Sequence, residues 1–171
     1  DVENSKPKAP TLLFRRDLIF DDGEHRLELL HFGVAHTHGD GFGWMPKEKI
    51  LFTGDAAVNG AYNYAGDAQI LEWINTLAAV QKLGAQKVCP GHGPMGGPEI
   101  LEDQRNYFIA VRDGVKALKD SGKTPDQVKA AAKELKETIR KNDRIARYIG
   151  GSFEAHVEKV WVELGGAPFA K

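Results

Sequence analysis

The stretch GVAHTHGDGFGW, residues 33–44, places His36, His38 and Asp40 at alternate positions. Imidazole nitrogens and carboxylate oxygens are the ligands that zinc and similar divalent ions take in proteins. The stretch therefore has two interpretations. In an H-x-H-x-D motif all three side chains converge on one ion. In an H-T-x-G-D motif only His36 binds metal, and the other residues shape the turn.

Two further turns carry a metal-binding side chain where an apolar segment ends. Asp55 closes the segment ILFTGD, and His92 lies in CPGHG. Each of these turns alone also has a purely structural explanation, because Gly-Asp pairs are frequent turn formers and a single histidine has many other roles. Loops at strand ends bring distant residues to one edge of a sheet. The three turns together therefore indicate a metal site more strongly than each does alone.

Strands and one helix surround these turns. The β-rich segments TLLFRRDLIF and HRLELLHFG flank DDGE, which predicts a hairpin. A short strand, the turn PKEK and the apolar strand ILFTG follow, and QKVC predicts another strand. Between them, AQILEWINTLAAVQKLG has apolar residues at helical spacing and ends in glycine, so it predicts an amphipathic helix. Its apolar face consists of Ile70, Trp73, Ile74, Leu77 and Val80.

In this order, HTHGD, LFTGD and PGHG resemble the motifs of the metallo-β-lactamase-fold hydrolases over roughly residues 12–97. That family has an H-x-H-x-D-H motif first, followed by H-T-x-G-D, F-x-G-D and P-G-H-G, with an amphipathic helix between the last two. The resemblance implies an α/β fold, the αββα sandwich, with metal ions bound at the edge of the sheets.

The family motifs decide between the two interpretations of the first turn. The H-x-H-x-D-H motif requires histidine where this chain has Gly41, and it requires a long segment before the next ligand, whereas LFTGD follows within one hairpin. The resemblance therefore aligns His36 with the single histidine of H-T-x-G-D. It implies that His38 points away, and that Asp40 orients a ligand imidazole or holds the turn.

The resemblance also implies the role of each ligand. His36 completes the first metal site, His92 completes the second, and Asp55 bridges both ions and is the catalytic residue of this chain. Zn²⁺ is the implied cofactor, with two ions in the complete site, and other divalent ions are alternatives. Cys89 precedes the Pro-Gly turn in an apolar run, so we expect it to be a buried strand residue.

No segment of the chain reads H-x-H-x-D-H, so we expect this chain to be the C-terminal half of the fold. Residues 1–11 are expected to be a linker or frayed terminus, 12–97 the half-fold, and 98–171 a helical extension. Because the chain begins with aspartate, we expect a processed, cleaved or trimmed product. The remaining histidines are expected in a turn, a strand and a terminal helix: His25, His31 and His156.

The helical extension contains three predicted helices. The first covers about residues 98–120, the second begins at Thr124 as N-cap with Pro125 in the first turn, and the third begins at Ser152. The expected partner is the N-terminal half of the same fold, as a separate chain or a cleaved precursor. Self-association into a homo-oligomer is a further possibility.

The implied function is zinc-dependent hydrolysis of an ester, thioester, lactone or lactam. Asp55 stands where the broad-spectrum lactamases of the family carry cysteine, which argues against a dedicated antibiotic hydrolase. Tyr62, Asn63 and Tyr64 suit a pocket for a neutral or modestly polar small molecule. The alternatives are a non-catalytic half-fold that acts as an interaction module, and a phosphodiesterase of the same fold.

Overall composition excludes two classes of partner. The chain has 23 Lys and Arg against 24 Asp and Glu, so no strong field attracts nucleic acid, and this balance disfavours the phosphodiesterase of nucleic acids. No apolar run approaches the ~18 residues of a membrane span. We therefore expect neither a nucleic-acid nor a membrane partner, and the cellular compartment stays open.

Overall fold

A single five-stranded sheet organises the computed structural model, which describes residues 5, 6 and 8–170. The strands lie in chain order across the sheet, and they are β1 (Asp17–Asp21), β2 (Arg26–Leu30), β3 (Phe42–Met45), β4 (Ile50–Gly54) and β5 (Lys87–Pro90). The first three pairings are antiparallel, and β5 runs parallel to β4. Both predicted hairpins and the mixed α/β class are confirmed. Of the predicted linker at residues 1–11, positions 1–4 and 7 lie outside the described residues.

Five helices accompany the sheet in the described residues: α1 (Ile70–Gln81), α2 (Glu99–Asp120), α3 (Pro125–Arg140), α4 (Asp143–Ala146) and α5 (Phe153–Glu163). Thr124 caps α3 in a capping box with Gln127, as its position predicts. Ser152 precedes α5, but its side chain makes no capping hydrogen bond. The short helix α4 was not predicted from the sequence. None of the described helices has the length and apolar character needed to cross a membrane.

One face of the sheet is buried under helices. Phe42, Trp44, Leu51 and Val88 alternate with more exposed neighbours along β3, β4 and β5, and all four belong to the core. The five apolar residues predicted for the inner face of α1 are also buried. Helices of the extension join the same core, as the 4.6 Å distance between the ring centroids of Trp73 in α1 and Phe108 in α2 shows.

The opposite face of the sheet is apolar and open in the described part of the chain. Phe52 is 44% exposed, and it pairs across the sheet with Gly43 and Cys89, so these residues share that face. Leu29 pairs with Gly43 from the other side and extends the same surface. Four adjoining strands thus contribute to a face that we call the open face, defined by Leu29, Gly43, Phe52 and Cys89.

Cys89 lies in β5, but the prediction that it is buried is wrong. The residue is only partly buried, and its Sγ lies 3.4 Å from the Sδ of Met95, in the turn that follows the strand. The reason is strand alternation, because Val88 takes the inner position and the next residue must face the other way. An apolar run of strand residues does not by itself reveal which of its members face the core.

Candidate metal centre

Asp55 and His92 meet at one edge of the sheet. They follow β4 and β5, and parallel neighbouring strands end at the same edge, so the two loops are adjacent. The Oδ1 of Asp55 lies 3.4 Å from the Nε2 of His92, and both side chains are partly exposed. Two of the sequence-predicted ligands are therefore in direct contact, although they are 37 positions apart in the chain.

Glycine and backbone hydrogen bonds produce this contact. The amide of Gly91 donates to the carbonyl oxygens of Gly54 (2.8 Å) and Ala57 (3.1 Å), which brings the PGHG turn against the end of β4. Asn59 then fixes the turn beyond the histidine, because its amide donates to the carbonyl oxygen of His92 at 2.8 Å. A side chain at Gly91 would collide with this arrangement, since an added Cβ would lie 2.1 Å from Asp55 Oδ1.

The substitution Gly91→Ala is therefore expected to push Asp55 away from His92 and to cost about 1–3 kcal/mol in the free energy of unfolding, as overpacking does. Urea denaturation measures the cost, and the ring-proton signals of His92 report the displaced carboxylate. Gly39→Ala is the matched control, because an added Cβ there meets nothing within 4 Å. Equal stabilities of the two variants would contradict the argument.

His36 lies against two aromatic side chains, the buried Trp73 and the exposed Tyr64. Its ring centroid is 5.9 Å from that of Trp73 and 6.3 Å from that of Tyr64, both in edge-on arrangements. The Nε1 of Trp73 donates to the carbonyl oxygen of Ala56 at 2.8 Å, directly after the aspartate of the turn. One buried side chain of α1 thus supports both the His36 ring and the turn that carries Asp55.

The structure shows what Asp40 does within HTHGD. Its carboxylate accepts hydrogen bonds from the amide (2.8 Å) and the hydroxyl (3.0 Å) of Thr37, so it holds the turn. The His38 side chain is exposed. His31 lies one residue beyond β2, not within a strand as expected, and its Nδ1 lies 2.7 Å from the carbonyl oxygen of Asp40.

Among the residues that the structure describes, no group of three or more His, Cys, Asp or Glu side chains is arranged to hold a metal ion. Asp55 and His92 fit zinc in their chemistry, because they place a carboxylate oxygen beside an imidazole nitrogen at an exposed edge. Structural and catalytic zinc sites take three or four protein ligands, so this pair needs additional donors. The assignment of His36, Asp55 and His92 as ligands stays a prediction.

Two tyrosines, Tyr62 and Tyr64, lie beside the histidines that are predicted to bind metal. Tyr62 stacks on His92, with ring centroids 5.5 Å apart and planes inclined by 26°. Tyr62 and Tyr64 are 57% and 59% exposed, whereas Asn63 between them is only 1% exposed. The Asn63 side chain donates to the carbonyl oxygen of Tyr148 at 3.2 Å, so it anchors the loop inside the protein. Of the three predicted pocket residues, the two tyrosines face outward beside the candidate ligands.

His156 lies in the terminal helix α5, as expected, but its complete burial was not predicted from the sequence. Its Nε2 lies 2.7 Å from the carbonyl oxygen of Asn63, and its Nδ1 lies 2.8 Å from the hydroxyl oxygen of Tyr107. A carbonyl oxygen only accepts, so Nε2 carries the proton and the Tyr107 hydroxyl donates to Nδ1. Burial lowers the pKa of His156 to about 4, and it raises that of Tyr107 well above its usual range. Neither spacing nor neighbouring residues mark this histidine in the sequence.

Comparisons with known proteins agree with this geometry. The family model described as the metallo-beta-lactamase superfamily matches residues 5–92. The metallo-beta-lactamase type 2 of Bacteroides fragilis is 33% identical over 91 residues, which are 48% of this chain and 36% of that protein. The structure of a metallo-beta-lactamase from Pontibacter korlensis is similar with a TM-score of 0.56 and 28% identity, over 63% of this chain and 52% of that one.

The structure of the DIM-1 metallo-beta-lactamase gives a TM-score of 0.52 and 31% identity, over 61% of this chain and 50% of that one. The chain thus spans about half of the length of the solved relatives, and about a third of the Bacteroides fragilis enzyme. The matched family region, residues 5–92, contains all five strands, α1 and both members of the Asp55–His92 pair.

Proposed function

Because the chain belongs to the metallo-beta-lactamase superfamily, we propose that it supplies one half of the active site of a zinc-dependent hydrolase. The observation that carries the proposal is the contact between Asp55 and His92 at the sheet edge, in the two turns that match the motifs of the family. In a complete site, bound zinc lowers the pKa of a coordinated water toward neutrality and polarises the bond to be hydrolysed.

Each residue of this chain has a specific task in the proposed site. Asp55 would provide a carboxylate ligand for the metal, and His92 and His36 would provide one imidazole each. Tyr62 restricts the rotation of the His92 ring by stacking on it. The Asp40 carboxylate keeps the HTHGD turn in shape through Thr37, and thereby fixes the backbone beside His36.

The proposed substrate is a small neutral or modestly polar molecule with an ester, thioester, lactone or lactam bond. Support comes from two exposed aromatic rings beside the predicted ligands: Tyr62 stacks on His92, and Tyr64 lies edge-on to His36. Aromatic rings offer apolar area with a polar hydroxyl tip, which suits an uncharged acyl compound better than a polyanion. A second candidate, a non-catalytic half-fold that mediates interactions, is supported by the exposed apolar side chain of Phe52 on the open face.

The proposed partner is a polypeptide that carries H-x-H-x-D-H, either the preceding part of the same protein or a separate chain. It would cover the open face, where Phe52 and its neighbours are apolar, because burial is worth about 25 cal/mol per Å² of apolar surface. The length comparison supports this occupant, since this chain spans about half of each solved relative. Ligands contributed by both halves would couple metal binding to assembly.

We expect residues 1–171 and the complementary half to form a one-to-one complex that zinc tightens. Cys89 lies on the open face and can therefore report on this complex. Its reaction with a thiol reagent should slow when the partner binds and covers that face. Sedimentation measures mass, and labelling is followed with and without the partner. Phe52→Lys is expected to prevent assembly, whereas the exposed Leu13→Lys, which lies outside the strands, serves as the control.

Hydrolysis by the assembled protein distinguishes the two candidate functions. With zinc bound, the complex should hydrolyse a chromogenic ester or a lactone, and removal of the metal by a chelator should abolish the activity. A complex that assembles but shows no metal-dependent turnover on esters, thioesters, lactones or lactams would support the interaction module. A stable monomer of residues 1–171 that binds two zinc ions without a partner would contradict the split-site proposal itself.

A further inference from the structure

Helix α5 contacts the segment before α1 through side chains on one of its faces. His156, Lys159 and Glu163 are spaced three and four residues apart, so they lie on the same side of the helix. His156 Nε2 donates to the carbonyl oxygen of Asn63 at 2.7 Å, and Lys159 Nζ donates to that of Gly66 at 3.1 Å. We call residues 60–69, which these contacts hold, the aromatic loop.

The third side chain of this face fixes the end of the aromatic loop. Gln69, the N-cap residue of α1, makes no capping hydrogen bond with its side chain. The two carboxylate oxygens of Glu163 accept instead from the amides of Ile70 and Leu71, each at 2.8 Å. A carboxylate at a helix N-terminus also interacts favourably with the helix dipole. The start of α1, and with it the end of the loop, is therefore set by a residue about 90 positions later.

All three contacts are made to backbone atoms of the loop or of the first turn of α1. The conformation of the loop therefore depends on α5 and not on the side chains that the loop displays. The displayed side chains reach the candidate metal centre, since Tyr62 stacks on His92 and Tyr64 lies edge-on to His36. Loop and centre are thus connected to the extension through the buried His156 and the partly buried Glu163.

We propose that α5 is the positioning element of the candidate metal centre, with His156 and Glu163 as positioning residues that hold the aromatic loop so that Tyr62 restrains His92. The inference rests on the proposed function only in treating His92 and His36 as ligands. It gives the helical extension a specific role: the extension sets the geometry of the loop beside the site, while the exposed side chains at positions 62 and 64 determine what a substrate meets.

The test uses the metal-free chain of residues 1–171, so its outcome does not depend on catalysis. Amide hydrogen exchange is measured at Tyr64 and Ala68, whose amides are hydrogen-bonded within the loop, and the ring-proton signals of His92 report stacking by Tyr62. The variants are His156→Leu and Glu163→Gln, and Glu154→Gln, exposed on the same helix, is the matched control. The variant Tyr62→Leu serves as the reference, because it shows the ring-proton signals of His92 when no ring stacks on it.

Loss of an anchor should speed exchange at Tyr64 and Ala68 at least about fivefold, the factor expected for one net hydrogen bond. The His92 signals should move toward those of Tyr62→Leu, whereas Tyr62→Leu itself should leave loop exchange unchanged. If His156→Leu does not fold, Glu163→Gln, which is partly exposed and conservative, provides the same readouts. Unchanged exchange and unchanged His92 signals in the folded anchor variants would overturn the inference, whatever the assembled protein hydrolyses.

Discussion

Replacing Asp55 by alanine is expected to lower zinc affinity or hydrolytic rate at least about tenfold in the assembled protein, because the substitution removes the only carboxylate proposed to span the two ions. The structure places this carboxylate 3.4 Å from His92 Nε2, at the edge where β4 and β5 end. Zinc binding is measured by competition with a chromogenic chelator, and turnover is measured on the best ester, thioester or lactone found.

Asp67→Ala is the matched control for this experiment, since Asp67 is an exposed aspartate of the aromatic loop outside the Asp55–His92 pair. Both variants should unfold at nearly the same urea concentration, because the Asp55–His92 contact is partly exposed and exposed polar contacts of this kind contribute little to stability. Full zinc affinity and full activity of Asp55→Ala, in a protein that assembles normally, would refute the bimetallic role of this residue.

Acidification is expected to destabilise the chain through His156. The pKa of this buried histidine is about 4 in the folded protein, below the value near 6.5 of an unfolded chain, so the unfolded state binds the proton more tightly. Its contribution is therefore intact above about pH 6.5 and is lost as the pH falls toward 4. Between pH 7.5 and 4.5 the loss is about 2–3 kcal/mol in the free energy of unfolding.

The cause of this pH dependence is that protonation would place a charge between groups that cannot accommodate it. Burial is the largest contribution to the lowered pKa, and the hydrogen bond to Asn63 opposes it only in part. Tyr107 donates to the ring from α2, and Phe108 packs edge-on against it, so both of these neighbours are uncharged. An imidazolium at this position would lose hydration without gaining an ion pair.

Urea denaturation of the chain at several pH values measures this effect, with His156→Gln as the comparison. Glutamine retains a donor for the Asn63 carbonyl oxygen but does not titrate, so the variant should be less stable at pH 7.5 and should lose less stability between pH 7.5 and 4.5. Carboxylate groups titrate equally in both proteins and cancel in the difference. If the free energy of unfolding changed with pH by the same amount in both proteins, His156 would have the same proton affinity in the folded and the unfolded state.

The sequence alone determined the family and most of the elements, though not the short helix α4. Turn residues such as DDGE and PKEK, the period of the apolar residues in α1 and the Thr124 capping box depend on local backbone preferences, which act between residues close in the chain. The order of HTHGD, LFTGD and PGHG likewise identified the superfamily. Within PGHG, glycine is required locally, because Gly91 lies too close to Asp55 for a side chain.

Tertiary structure decided which side chains these elements place in contact. The sequence offered two roles for Asp40, and only the fold shows its carboxylate bound to Thr37. From the sequence, Asn63 was predicted to line a substrate pocket. In the structure its side chain and its carbonyl oxygen instead form hydrogen bonds with Tyr148 and with His156 of α5. Burial of His156 and capping of α1 by Glu163 connect residues about 90 positions apart, and such contacts arise only when helices pack on one core. Local backbone preferences do not predict such contacts. The free energy of each contact depends on what surrounds the side chain in space and not on its neighbours in sequence.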